Sequence, residues 1–561
     1  MVFVVGYENP RQDNEEDSKG NRVVSAERDG EGRQCYPVEP PALQHSLHRP
    51  DLLRAAGQGS RYVLIGKGIT ASLTFGTLIF VVRNLSPHEY GIYSLLLTIE
   101  LYIGLFTANA FKGIFRRYLP EFRETGLSAF ARKVVVRGTG VCFISSLGVV
   151  GLLLALFPLW AHFLHLEQYF FMTALFLAAC VVHFLAALLV QSLAAFLLYR
   201  SVVAANVIQS VVRTAVVILV LMQGNGLLGV VIAEICSYIS LFVASVAFYY
   251  FGVVRRETGI DRERAPTDIN RRMRRYGIFH AINVSGVRII GTETDILAVS
   301  LLFSSPLVGL YALAVRVVNS LENILPFRTL DDVIGPVFFR QYARSKNPGT
   351  LQAMVSFLTK VSALVLLPVV VTMLALGDIL LGTVFGRQYR DVYGLASILS
   401  IALLFNLMRN PISLVLLALE RNDIISLTRL AALYNLLGYV LFAPVFGIYG
   451  IAVATCSAAI LQSVLLYYFG VKLAGVQLEW KTQGVILARF CLLGLFLVLC
   501  RYLNESLLVL VPAAVVGGIV TLWLCWSHGV FHASERQIVR EFLGHVAGKP
   551  FWGSARMQPS T

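Results

Sequence analysis

The chain has 561 residues, of which 56% are apolar and only 14% charged, and its mean hydropathy is +0.69. Soluble domains keep about a quarter of their residues charged to cover a water-facing surface, so this composition excludes a soluble protein. The formal net charge of +14 comes from Lys and Arg concentrated in loops between apolar segments. That distribution is typical of membrane topology rather than of a nucleic-acid interface.

Residues 1–60 differ from the rest of the chain because they are polar and poor in apolar side chains, which predicts a disordered extension. The eight cysteines contain no C-x-x-C pair and lie mostly in apolar stretches. They are therefore expected to be packing residues, with no metal site and no cofactor.

Apolar stretches long enough to cross a bilayer recur from Tyr62 to His528 and predict about fourteen transmembrane helices. In chain order they span roughly 62–82, 91–111, 138–160, 169–193, 203–222, 228–251, 277–302, 308–334, 353–376, 391–417, 424–444, 449–470, 484–501 and 507–527. Six alternate loops hold 22 Lys and Arg residues, whereas the other loops hold four. This asymmetry predicts that both termini are cytoplasmic.

Three landmarks recur after similar intervals and indicate an internal repeat of six helices. They are Gly91-Ile92-Tyr93 with Gly309-Leu310-Tyr311 (218 apart), Pro120-x-Phe122 with Pro336-x-Phe338 (216 apart), and Gly226-x-x-Gly229-x-x-x-Ala233 with Gly447-x-x-Gly450-x-x-x-Ala454 (221 apart). Because six is even, both halves have the same orientation in the membrane. Such halves are related by an axis along the bilayer normal, as in transporters that bind substrate between two lobes.

The predicted fold is therefore an all-α polytopic membrane protein with two parallel six-helix lobes and a C-terminal helix pair. The predicted domains are a cytoplasmic extension (1–60), an N-lobe of helices 1–6 (61–251), a basic cytoplasmic linker (252–276), a C-lobe of helices 7–12 (277–470), helices 13–14 (471–528) and a cytoplasmic tail (529–561).

Ionisable side chains inside a membrane helix are costly and often functional. Ser285, Arg288, Thr292 and Asp295 share one face of predicted helix 7, and Lys67, Thr70, Thr74 and Thr77 stand at the corresponding positions of helix 1. Because cations outnumber acids, we predict a hydrated cationic cavity that binds phosphate or carboxylate. Its candidate substrate ligands are Lys67, Arg213, Arg288, Arg316 and Arg409, and the candidate sites for a coupling proton or Na⁺ are Asp295, Glu322 and Glu100. The alternative interpretation of these charged residues is a side chain that extends to the membrane surface or an intramembrane ion pair.

Several passages, taken in order, resemble one family of transporters. They are LSPHEYGIYSL, RRYLPEFRETG, TDILAVSLLFSSPLVGLYALAVRV, FGRQYRDVYGLASILSIALLF and LFAPVFGIYGIAVATCSAAILQS. The series resembles the polysaccharide-transporter (Wzx-like O-antigen flippase) branch of the multidrug/oligosaccharidyl-lipid/polysaccharide (MOP) exporter superfamily, and Asp295 stands at that family's acidic position. The resemblance covers about residues 61–475 and implies a MATE-like fold.

The resemblance also implies a function: a flippase that moves a polyprenyl-diphosphate-linked oligosaccharide across the bacterial inner membrane for O-antigen, capsule or exopolysaccharide synthesis. Glycosyltransferases and a polymerase would be its partners. The alternatives are a related transporter of lipid II or of drugs, and a polytopic enzyme of polysaccharide assembly. The enzyme would need an acidic cluster facing the sugar, for which the candidate is Asp331-Asp332 at the inner end of helix 8.

Overall fold

The computed structural model describes residues 50–255, 268–289, 291–324, 348–419, 421–475, 477, 479–527, 530, 531, 535 and 536. Several expectations from the sequence lie outside these ranges: residues 1–49 of the N-terminal extension, part of the basic linker, Pro336-x-Phe338, Asp331-Asp332 and most of the C-terminal tail. The backbone of Arg288 is described, but its side chain lies outside the described part.

All regular structure in the described ranges is helical, which confirms the predicted all-α fold. Fourteen long helices follow one another, several of them in two parts. The first six are α1 (Pro50–Asn84), α2 (Pro87–Thr107, continued by Asn109–Glu124), α3 (Ser128–Ala155), α4 (Phe170–Ala195), α5 (Tyr199–Met222) and α6 (Gly226–Tyr249). The others are α7 (Ile269–Ile289 and Thr292–Leu302), α8 (Ser305–Ile324), α9 (Pro348–Phe385), α10 (Val392–Met408 and Asn410–Ala418), α11 (Asn422–Thr428 and Ala431–Phe446), α12 (Ile448–Ala474), α13 (Trp480–Leu503) and α14 (Leu507–Ser527). We call α1–α6 the N-lobe and α7–α12 the C-lobe.

Twelve of these helices are long and apolar enough to cross a membrane, so the chain is a multi-pass membrane protein. The two that do not meet this criterion are α7 and α8. The first part of α7 is rich in arginine and stops at Ile289, before a second part that begins at Thr292. The description of α8 ends at Ile324. The twelve spans and the two remaining helices occupy the positions of the fourteen predicted segments.

The start of α2 is fixed by its own sequence. The hydroxyl of Ser86 accepts the backbone N–H of Glu89, and the Glu89 carboxylate accepts the backbone N–H of Ser86 at 3.0 Å. Pro87 follows at the first helical position, where its missing N–H costs nothing. This capping box sets the point at which α2 leaves the α1–α2 turn.

The starts of α2 and α8 pack against each other through the two glycines of the repeat. A Cβ atom on Gly91 would lie 2.0 Å from the carbonyl oxygen of Ser305, and one on Gly309 would lie 2.1 Å from the carbonyl oxygen of Pro87. The two glycines are 218 residues apart, and so are Pro87 and Ser305, whose carbonyls they meet. Each helix therefore makes the same contact with the other. A two-fold axis between α2 and α8 produces this reciprocity, and only glycine permits so close an approach of the backbones.

The C-terminal pair α13–α14 is attached to α9 by ion pairs at two levels. Lys360 on α9 is fully buried, and its Nζ lies 3.0 Å from carboxylate oxygens of both Glu479 and Glu535. Farther along α9, the Asp378 carboxylate lies 2.7 Å from Nη2 of Arg501 at the end of α13. Apolar side chains of α9, α13 and α14 pack between these two levels.

Candidate functional site

Arg316 on α8 lies where the two lobes meet. Its electrostatic neighbours are Tyr90 and Tyr93 on α2, Glu293 on α7 and Arg213 on α5. Its Nε is buried and has no hydrogen-bond partner, and no described carboxylate lies within ion-pair distance of the guanidinium. A buried donor without a partner is costly, so this guanidinium is chemically suited to bind an anion between the lobes.

Arg213 lies nearby but already has a partner of opposite charge. Its Nη2 is 2.5 Å from the Glu234 carboxylate on α6 and 2.7 Å from the hydroxyl of Tyr93. Tyr93 in turn donates a hydrogen bond to Glu234, which is almost fully buried. The three side chains join α2, α5 and α6, and the positive charge of Arg213 is neutralised within the N-lobe.

A polar cavity of about 420 Å³ lies inside the C-lobe, between α7, α8, α10, α11 and α12. Amide, hydroxyl and charged side chains from all five helices line it. They are Thr292, Asn319, Glu322, Asn406, Arg409, Asn410, Arg429, Asn435, Thr455 and Gln462. The cavity brings together Arg409 and Glu322, two of the residues predicted from the sequence.

Arg409 lines this cavity with Arg429, and two guanidiniums in one cavity give it a cationic wall. Arg409 donates a hydrogen bond to the side-chain oxygen of Gln462 on α12. No described carboxylate lies within ion-pair distance of Arg409. A wall of this kind can bind phosphate or carboxylate through charge-assisted hydrogen bonds.

Asp295 lies beside the same cavity and is fully buried. Tyr439 donates to one carboxylate oxygen, and Tyr311 and Thr455 donate to the other at 2.9 Å each. Asn435 lines the cavity and donates to the Tyr439 hydroxyl at 2.7 Å. No described basic side chain lies within ion-pair distance of Asp295, so its charge is balanced only by hydroxyl dipoles.

Glu100 forms a second buried acidic cluster, in the N-lobe. One of its oxygens meets Nδ1 of His183 on α4, and the other accepts the hydroxyl of Tyr238 on α6 at 2.7 Å. The His183 and Tyr238 rings stack with their centroids 4.3 Å apart and only 7° between their planes. Glu100 therefore connects α2, α4 and α6 through an imidazole that can carry the balancing charge.

The remaining candidates are placed differently. Lys67 is exposed on α1 and has no hydrogen bond or ion pair with the described residues. The fourth residue of its predicted stripe, Thr77, is buried and shares a hydrogen bond of 2.7 Å with Thr214 on α5. The side chain of Arg288 lies outside the described part. The structure thus distributes the candidates among an interlobe position, a C-lobe cavity and two N-lobe clusters.

The sequence interpretation missed the hydroxyl donors that surround the acids. Tyr93 and Tyr311 each donate to the carboxylate of their own lobe, Glu234 and Asp295. Both tyrosines belong to the Gly-x-Tyr landmark of the repeat, so this signal was present in the sequence. Tyr439 carried no such signal, because its partner on α7 is 144 residues away.

Solved transporters have a similar fold. The lipid II flippase MurJ in an inward closed conformation has a TM-score of 0.60 and 14% identity, covering 85% of this chain and 99% of that one. An inward-facing multidrug resistance MATE transporter of the MOP superfamily has a TM-score of 0.58 and 14% identity, covering 74% of this chain and 98% of that one. The protein therefore has the MOP fold.

A sequence family completes the assignment. The family described as polysaccharide biosynthesis protein matches residues 80–394, more than half of the chain. The chain belongs to this family, which confirms the family membership predicted from the sequence. Comparison with curated protein sequences finds no match.

Proposed function

We propose that the protein is a flippase that moves a polyprenyl-diphosphate-linked oligosaccharide from the inner to the outer leaflet of the bacterial inner membrane, for polysaccharide biosynthesis. Family membership supports a role in making polysaccharide, and the MOP fold supports transport by alternating access. Both termini would be cytoplasmic, and glycosyltransferases and a polymerase would supply and consume the lipid-linked unit.

The observation that carries this proposal is a pair of guanidiniums inside the membrane without carboxylate partners among the described residues. Arg316 lies between the lobes, and Arg409 lines the C-lobe cavity. A diphosphate carries charges that such groups can bind bidentately in a low-dielectric site. A transporter of cationic drugs would favour the opposite polarity. The other basic ligands predicted from the sequence are Lys67, Arg288 and Arg213, of which Arg213 is already paired with Glu234.

The proposal places the coupling cation, a proton or Na⁺, at Asp295. This carboxylate has no described basic partner within ion-pair distance and lies beside a polar cavity. Glu100 and Glu322 are the other acids that the sequence nominates. Glu100 already has His183 beside it, and Glu322 shares the cavity with two arginines. Moving one charge across about 100 mV is worth about 2.3 kcal/mol, which is enough to drive accumulation.

A leaflet-translocation assay in proteoliposomes tests this function. The substrate is a fluorescent undecaprenyl-diphosphate oligosaccharide, and a membrane-impermeant quencher measures the fraction in the outer leaflet. Losing one charge-assisted contact costs about 1.5–3 kcal/mol, so Arg316→Ala should weaken substrate binding about 10- to 100-fold. The matched control is Arg387→Gln, which removes an exposed arginine from the α9–α10 connection.

Two outcomes would contradict the proposal. If wild-type protein does not move the lipid-linked saccharide, the assigned cargo is wrong, and parallel assays with lipid II or a cationic dye identify the alternative. If Arg316→Ala binds and moves the saccharide like the control, Arg316 is not the diphosphate ligand.

A further inference from the structure

The internal repeat brings two polar sites into register, one in each lobe. Tyr93 and Tyr311 are equivalent in the Gly-x-Tyr landmark, and each donates its hydroxyl to the buried acid of its own lobe. Glu234 and Thr455 are also equivalent, because each directly follows the repeated Gly-x-x-Gly-x-x-x-Ala. The C-lobe site is built on α7, α8, α11 and α12, and the N-lobe site on α2, α5 and α6.

In the aligned repeat, an acid and a threonine have exchanged positions between the two lobes. In the C-lobe the acid is Asp295 on α7, and the threonine that donates to it is Thr455 on α12. In the N-lobe the equivalent of Asp295 is Thr77 on α1, and the equivalent of Thr455 is the acid Glu234 on α6. Each lobe therefore keeps one carboxylate beside the tyrosine of its second helix.

The two sites differ in how the carboxylate is balanced. In the N-lobe, α5 delivers the guanidinium of Arg213 to within 2.5 Å of Glu234. In the C-lobe, the described contact of the corresponding helix α11 with the Asp295 carboxylate is the hydroxyl of Tyr439, with no cation. The described N-lobe site therefore contains its own cation, whereas the described residues of the C-lobe site supply none to Asp295, which adjoins the cavity lined by Thr455.

We infer that the guanidinium of Arg213 is a permanent cation at Glu234, and we call it the resident cation of the N-lobe. It does for Glu234 what an exchangeable proton or Na⁺ does for Asp295 in the C-lobe. Arg213 is then a positioning residue that fixes α2, α5 and α6, not a ligand of the diphosphate. The protein would have one exchangeable cation site, in the C-lobe. Calling the cation at Asp295 the coupling ion rests on the proposed function, but the role of Arg213 does not.

The inference has a direct consequence for a variant without the guanidinium. A carboxylate buried in a low-dielectric site cannot stay charged without a partner. Without Arg213, Glu234 must therefore take up a proton or Na⁺, so the N-lobe should acquire a cation dependence of its own. Titratable and charged groups from five helices surround this carboxylate. In the N-lobe they are Tyr93 and Glu100 on α2, Cys180 and His183 on α4, Arg213 on α5 and Tyr238 on α6, with His183 bound to Glu100. From the C-lobe, Arg316 on α8 lies beside Tyr93.

The test uses purified full-length protein and needs no substrate. Apparent melting temperatures are measured between about pH 5.5 and about pH 8.5, in sodium chloride or choline chloride, for wild type, Arg213→Gln, Arg213→Lys and Arg213→Gln/Glu234→Gln. Because Glu234 in Arg213→Gln binds a proton in the folded state that the unfolded chain releases, stability should fall as pH rises. For each pH unit, the equilibrium constant for unfolding of this variant should rise by up to about tenfold more than that of the wild type.

Two comparisons distinguish a resident cation from a substrate ligand. Arg213→Lys and the double variant should return to the wild-type dependence on pH and Na⁺, because neither leaves an unbalanced carboxylate. In binding assays with undecaprenyl diphosphate, the double variant should recover affinity relative to Arg213→Gln. Asp295→Asn, which removes the C-lobe acid, should abolish the cation dependence of the wild type.

Either of two results would overturn the inference. One is a melting profile of Arg213→Gln that follows the wild type across pH and cation. The other is a double variant that binds undecaprenyl diphosphate as poorly as Arg213→Gln does. If Arg213→Gln does not fold, the test rests on the double variant Arg213→Gln/Glu234→Gln. The inference predicts that this double variant folds, and a double variant that does not fold would contradict it. A protein that moves no lipid-linked saccharide would leave the melting experiments intact and refute only the proposed function.

Discussion

Gly309→Ala is predicted to open the contact between the starts of α2 and α8. The new Cβ would lie 2.1 Å from the Pro87 carbonyl oxygen, far inside the 3.4 Å at which ordinary van der Waals contact begins. The obstacle is backbone rather than a flexible side chain, so the two helices must separate to make room for the methyl group. Overpacking of this kind costs about 1–3 kcal/mol, which corresponds to about a 5- to 150-fold shift toward states in which the contact is open.

Hydrogen-exchange mass spectrometry measures this shift at the first turns of α2 and α8. Exchange of these backbone amides should be about 5- to 150-fold faster in Gly309→Ala than in wild type. Gly148→Ala is the matched control, because a Cβ at this helical glycine of α3 meets nothing within 4 Å. Alanine is also the better helix former, so the control should be neutral or slightly stabilising.

The reciprocal geometry adds a sharper requirement. Gly91→Ala should act like Gly309→Ala, since its Cβ meets the Ser305 carbonyl at 2.0 Å. Once the helices have separated for one methyl group, the second costs less, so the double variant should be less affected than the sum of the single variants. Wild-type exchange in Gly309→Ala, or strict additivity of the two, would refute a single shared contact.

Three further predictions concern α9 and the C-lobe acid. Lys360→Met removes the cation from the buried carboxylate of Glu535 and the partly exposed carboxylate of Glu479. It should destabilise the protein by about 3–5 kcal/mol, measured as a larger drop in melting temperature than the same substitution of an exposed lysine causes. Burial opposes ionisation of Glu479, but hydrogen bonds from Ser356 and Lys360 lower its pKa below the usual value. Its stabilisation is therefore present above about pH 4.5 and is lost as pH falls through the lowered pKa; acid titration of Glu479→Gln should lack this loss. Tyr439→Phe removes one donor to Asp295, so its melting temperature should respond to pH or Na⁺ over a different range from that of wild type, and identical profiles would contradict the assigned contact.

The helices were predictable because a bilayer imposes one strong rule: every span needs about 20 apolar residues. Hydropathy therefore accounts for the twelve spans, whereas the described parts of α7 and α8 are less apolar than the others. The break of α7 at Gly291 was not predicted, although glycine is a poor helix former and was the local signal for it. Local sequence does not encode the packing that decides where such a helix stops.

The candidate site was predictable in its residue types but not in its pairings. Charged positions inside apolar segments identified Arg316, Asp295 and Glu100. Their partners come from other helices, with Glu100 meeting His183 at a separation of 83 residues. Periodicity gives the face of a helix, whereas these contacts depend on how helices are arranged around one another. The repeat landmarks were the one sequence signal that carried information between helices.

That landmark now has a physical explanation in both lobes. In Gly-x-Tyr the glycine and the tyrosine are two positions apart, so they project from α2 or α8 in nearly opposite directions. The glycine faces the other lobe, where Gly91 and Gly309 bring the backbones together. The tyrosine faces its own lobe, where Tyr93 and Tyr311 hold the acid. One short segment of α8 thus contacts both the proposed cation site at Asp295 and the other lobe. Cation binding and lobe separation would therefore be linked through α8, and in the N-lobe the fixed charge of Arg213 would keep α2 from responding.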